Sequence, residues 1–156
     1  MHAFDTDLFF VIHDVARLMR TRFDQRARAY GMTRAQWVIL VRLQRQPGLS
    51  QNELASICEV EPITVARLVD RLEANGLVKR CADPTDRRVR RLKLLPAAEP
   101  ILAEIGRYRE QFRDEITENM QPLEWAAALD VLLRMKEKLT VDGAGSPPHA
   151  AVGEKV

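Results

Sequence analysis

Long apolar runs are missing from this chain. The longest, "LFFVI" at 8–12 and "WVILV" at 37–41, fall far short of the ~20 residues that cross a bilayer as a helix. The first ten residues, "MHAFDTDLFF", carry acids where a secretory leader would carry a basic segment, so the expected location is the cytoplasm, with no membrane partner. Cysteine is scarce: Cys58 and Cys81 are the only two. They show no metal-ligand spacing and fit a reducing compartment where thiols stay free. Histidine is as sparse, with His2, His13 and His149 scattered along the chain, so no metal is implied. There is no nucleophile elbow, no glycine-rich phosphate loop and no His-Glu metal motif, which argues against an enzyme and against a cofactor.

A strong net charge is also absent, the total being +2 over 156 residues. This length is one ordinary domain, large enough to bury a core unaided. The charge is unevenly placed. Residues 1–49 hold 8 basic and 4 acidic side chains, 50–95 hold 9 and 7, and 96–156 hold 7 and 11. Residues 77–95 alone carry 7 basic against 2 acidic, with four arginines in "RRVRR" at 87–91. Such a run is either a solvated charged ribbon or the footprint of a polyanion such as DNA.

Apolar residues at Leu8, Ile12, Val15, Met19 and Phe23 recur at helical spacing, so a long first helix is predicted over 5–30, stopped by Gly31. "TRAQ" (33–36) reads as a capping box opening a second helix that ends before Pro47-Gly48, and "SQNE" (50–53) as another opening a short third. A fourth helix should start near Pro62 and end at Asn75-Gly76, with Val65, Leu68, Val69 and Leu72 inward. Its outer face presents Thr64, Arg67 and Arg71. "LVKRC" and "RLKLL" read as two strands of a hairpin with the arginines near its tip. A long helix follows from Pro96, striped by Ile101, Ile105, Tyr108, Phe112 and Ile116, and then another after Pro122 with Trp125, Leu129, Leu132 and Leu139. The segment 141–156, rich in Gly, Pro and Ala, is too poor in large apolar groups to order itself.

Two short helices, a helix with a polar outward face and a basic hairpin make a winged helix-turn-helix, mainly α with a small sheet. The fourth helix suits the major groove, and the wing's guanidinium groups suit phosphate or the minor groove. The chain here resembles the MarR family of transcription regulators, and within it the SlyA branch. The resemblance is carried by "TRAQWVIL", "SQNELA", "VARLVDRLEANGLVKR", "DPTDRRVRRLKL" and "AEP" at 98–100, and extends from about residue 8 to about residue 139.

The resemblance implies a homodimer that reads a palindromic operator, more often as a repressor. Residues 1–32 and 96–140 would form the dimerisation lobe and 33–95 the DNA-binding lobe. The long amphipathic helices at both ends agree, because they offer more apolar face than one small winged domain can cover. By the family pattern Arg88 is the wing arginine and Asp86 its brace. Thr64, Arg67 and Arg71 lie on the recognition helix; Arg67 would either contact DNA or pair with Asp70 or Glu73. Arg87, Arg90 and Arg91 join the DNA-contacting set, although one of them could instead brace Asp83. Family members also take small aromatic or phenolic acids as effectors. His13, Arg17 and Trp37 are the candidates here, unless Trp37 is simply core.

Departures from the pattern exclude some mechanisms. No cysteine precedes Cys58, against a peroxide sensor of the first-helix type. Glu59 and Glu61 should raise the Cys58 thiol, while Arg80 would favour a thiolate at Cys81. Leu95 stands where the family has a capping threonine. The rival reading is a winged helix serving protein interaction without sequence-specific DNA binding. Such a module has no need of "RRVRR".

Overall fold

A computed structural model of the chain describes residues 7–86 and 88–142. The chain divides into two compact units, Met1–Tyr108 and Arg109–Val156. Among the described residues, six α-helices and one hairpin follow the predicted order. Helix α1 spans Leu8–Arg28, with the Asp7 carboxylate accepting the Phe9 N–H at 2.9 Å as an N-cap. It ends where Gly31 takes φ 66°.

Both capping boxes form. Thr33 opens α2 (Arg34–Arg45) with its hydroxyl accepting from the Gln36 N–H, while the Gln36 amide oxygen accepts the Thr33 N–H at 2.8 Å. Ser50 and Glu53 do the same for α3 (Gln51–Cys58), at 2.7 Å for the return bond. Glu59 then takes the left-handed conformation, φ 53°, and closes a tight turn into α4 (Pro62–Ala74), whose first residue is proline. Gly76, φ 68°, turns the chain out of α4, and the Leu77 N–H reaches back to the Leu72 carbonyl at 2.9 Å.

Strands β1 (Val78–Ala82) and β2 (Arg90–Leu94) pair antiparallel from Val78↔Leu94 to Ala82↔Arg90. Each is one residue out of its predicted bounds. The sheet is tied to the start of α3 by the Leu92 N–H donating to the Leu49 carbonyl at 2.9 Å. The predicted long helix begins instead with a 3-10 turn, Pro96–Ala98, before α5 (Glu99–Thr117). Leu95 supplies no side-chain cap; its N–H donates to the Leu77 carbonyl at 2.9 Å, which anchors the chain as it leaves the wing.

The core of the first unit joins Leu40 and Leu43 of α2, Leu54 of α3, Val69 and Leu72 of α4, and Leu92 of β2, all at most 1% exposed. Ile105 of α5 packs on the same core, and the Tyr108 ring meets Phe23 edge-on at 5.1 Å. Arg26 of α1 pairs with the buried Glu104 of α5 and lies 5.3 Å over the Tyr108 ring. By contrast, the predicted α1 stripe is largely uncovered by the described residues: Leu8 is 56%, Val15 47% and Met19 37% exposed. In the second unit α6 (Pro122–Asp142) likewise presents Leu123, Leu129, Leu132 and Leu139 to solvent. The segment predicted to be disordered lies, from residue 143 on, outside the described residues.

Candidate nucleic-acid interface

Helix α4 turns Val65, Val69 and Leu72 into the core, so helical geometry sends Thr64, Arg67 and Arg71 to the opposite side, where all three are exposed. The carboxylates that would compete for Arg67 have another partner. Arg80, on β1, takes Asp70 at 2.6 Å and Glu73 at 2.5 Å, donates to the Gln51 amide oxygen at 2.7 Å, and reaches the Ala66 carbonyl at 3.3 Å. Its backbone N–H adds a bond to Glu73 at 3.0 Å. These bonds hold the Glu73 carboxyl below its ordinary range. One half-buried guanidinium therefore binds α3, α4 and the wing strand together and frees Arg67. Sequence inspection passed over this role, because its partners lie as far as 29 residues away.

The wing is shaped by Asp83. Its carboxylate, 7% exposed, accepts from the Thr85 hydroxyl at 2.6 Å, the Thr85 N–H at 2.7 Å, the Asp86 N–H at 3.1 Å and the Arg91 Nε at 2.6 Å. The Thr85 hydroxyl and the Arg91 guanidinium hold that carboxyl well below the usual carboxylate range. Arg91 also donates to Glu53 at 2.9 Å and to the Gly48 carbonyl at 3.2 Å, so its guanidinium faces inward as the brace of Asp83. Asp86 accepts the Arg88 backbone N–H at 2.9 Å, which supports the loop and leaves the Arg88 guanidinium unengaged by that contact. Arg88 and Arg90 are exposed. Arg87 lies outside the described residues.

Two populations of arginine result. Arg80 and Arg91 are ligated by carboxylates, whereas Arg67, Arg71, Arg88 and Arg90 form no ion pair among the described residues. The unpaired set sits on α4 and the wing. Arg71 also borders, with Arg28, a surface cleft of about 490 Å³ at the start of α2.

The three candidate effector residues differ in their surroundings. His13 and Arg17 are exposed on α1, with Arg17 paired to Asp14 at 3.1 Å. Trp37 is 2% exposed, in the core against Tyr30 at 5.9 Å between ring centroids, and its Nε1 donor has no partner among the described residues. The Cys58 thiol is raised, as expected, but by burial rather than by Glu59 and Glu61. Beside Cys81, the Arg80 charge is turned toward Asp70 and Glu73.

A model of the MarR family matches residues 30–89, from the turn after α1 through the wing loop. Solved structures match nearly the whole length. The transcriptional regulator PA3341 is 32% identical, covering 86% of this chain and 98% of that one, with a TM-score of 0.76. MarR is 28% identical over 93% and 99% at 0.79, and the transcriptional regulator SlyA 25% identical over 88% and 96% at 0.78. The same fold recurs at lower identity in a MepR–DNA complex from S. aureus, 20% identical with a TM-score of 0.73. It recurs too in Bordetella bronchiseptica BpsR, 24% identical at 0.73, whose DNA binding is regulated by 6-hydroxynicotinic acid. With PA3341 aligned almost end to end and the family model seated on the recognition helix and wing, the chain belongs to the MarR family of transcriptional regulators.

Proposed function

We propose that this protein is a homodimeric, sequence-specific DNA-binding regulator, acting in the cytoplasm as a repressor on a palindromic operator. The observation that carries the reading is the sorting of arginines. The two carboxylates within α4, Asp70 and Glu73, are taken by Arg80, and Glu53 and Asp83 near the wing base by Arg91. Arg67 and Arg71 are left for base edges or phosphates, and Arg88 and Arg90, with Arg87 beside them in sequence, for the backbone. Thr64 supplies a hydroxyl on the same face.

Dimerisation through residues 1–32 and 96–140, flanking a DNA-binding lobe at 33–95, is supported by the exposed apolar faces of α1 and of α6, each on its own element. A twofold dimer would set its recognition helices roughly 34–36 Å apart, one turn of DNA. Release by a small aromatic or phenolic acid is supported by the likeness to BpsR. For the residues proposed to bind it, the support is the Trp37 Nε1, without a partner among the described residues, and the exposure of His13 and Arg17.

The test is selection of bound duplexes from a random library at low and moderate salt. A palindrome with half-sites one turn apart is the expected result; no motif, with binding lost at modest salt, would leave a nonspecific basic patch and favour an interaction module. Arg88→Ala should then weaken binding to all sequences and reduce the salt slope by about one. Arg67→Ala should cost roughly 1–3 kcal/mol and relax preference at one position per half-site.

A further inference from the structure

Helix α4 carries one residue on its outer face that neither the core nor a charge requirement explains. Ile63 is 60% exposed, on the first turn, directly before Thr64. At about 100° per residue, Ile63 and Arg67 stand one turn apart near the centre of the stripe opposite Val65 and Leu72. Thr64 and Arg71 lie to one side of that stripe. The side chain is apolar and β-branched, stiff at χ1 and a poorer helix former than an unbranched polar residue. In the free protein its exposed surface gains nothing from burial.

A major groove offers such a side chain one apolar feature, the C5-methyl group of thymine, next to the hydrogen-bonding edges that suit Thr64 and Arg67. We infer that Ile63 is a specificity-determining residue that packs on the C5-methyl of a pyrimidine in each half-site, beside the base pair faced by Arg67. This inference rests on the proposed DNA-reading function. The side chain shares its helix face with Arg67. The same methyl is presented by thymine and by 5-methylcytosine, and the contact responds to either.

The experiment uses the full chain and the duplex selected above. Each thymine is replaced singly by uracil, which removes only the methyl, and binding is measured for wild type and for Ile63→Ala. At one position per half-site, wild type should lose about fourfold, the equivalent of ~0.8 kcal/mol for one buried methyl. Ile63→Ala should bind the thymine duplex more weakly and show little further loss with uracil there. Placing a C·G pair at that position and then methylating the cytosine at C5 should restore part of the affinity for wild type alone, which identifies the methyl rather than the base as the contact. If uracil changed wild-type and Ile63→Ala binding equally at every position, or changed neither, the inference would be overturned while sequence-specific binding stood. Failure to select any motif would remove the DNA-reading function and this inference with it. Ile63 is exposed, so Ile63→Ala should retain the wild-type circular dichroism spectrum and melting curve.

Discussion

Arg80→Ala is the substitution that probes how the recognition helix is held. It deletes side-chain bonds to Gln51 (2.7 Å), Asp70 (2.6 Å), Glu73 (2.5 Å) and the Ala66 carbonyl (3.3 Å). The two carboxylates are 64% and 40% exposed and return to water when released, so each ion pair counts for about 0.5 kcal/mol rather than a buried-pair value. Gln51 and the Ala66 carbonyl are less accessible, and losing their donor costs about 1 kcal/mol each. The arginine stem, in a side chain only 21% exposed, adds roughly 1 kcal/mol of packing. Together the loss is about 4 kcal/mol, most of it insensitive to salt. Urea unfolding followed by circular dichroism, at equal protein concentration, should show it in both low and high salt. Arg80→Met keeps the stem and should recover about 1 kcal/mol; Arg80→Lys keeps the charge without the fork and should remain well below wild type. A loss under about 1 kcal/mol for Arg80→Ala, or one abolished by salt, would mean that α4 is held by core packing alone.

Gly76 has φ 68° and open space around a would-be Cβ, so Gly76→Ala should destabilise by roughly 1 kcal/mol through backbone strain alone, visible as a lower thermal midpoint, with Gly76→Asn milder. Asp83 has a folded pKa below its unfolded value of ~3.9. The native state therefore binds fewer protons, and the contribution of Asp83 is complete above about pH 4 and lost as the pH falls through the folded value. Asp83→Asn should flatten the fall in stability below about pH 4 in urea titrations run at several pH values, and an unchanged slope would argue against the Thr85 and Arg91 bonds to the carboxylate.

Much of the architecture was legible because its determinants are local. A capping box lies within four residues, as at Thr33–Gln36 and Ser50–Glu53, and a glycine at φ near +67° needs only its own backbone, so helix starts and stops could be read directly. The inward stripe of α4 followed from helical period, and with it the outward placement of Thr64, Arg67 and Arg71. The period also places Ile63 outward, a signal obscured by its apolar character. The sequence by itself thus determined the order of elements, the basic hairpin and the face of the recognition helix.

Which arginines remain available was decided only in three dimensions. Arg91 meets Glu53 across 38 residues of chain and Arg80 meets Gln51 across 29, contacts that exist because the wing folds back on α3. Trp37 illustrates the same limit, for its neighbours "VILV" suit a helix core or a pocket wall equally, and only the packing of α2 buries it to 2% exposure. Charge and periodicity give each side chain a direction; tertiary contacts decide whether its hydrogen bonds are already made, and so whether anything is left to bind a partner.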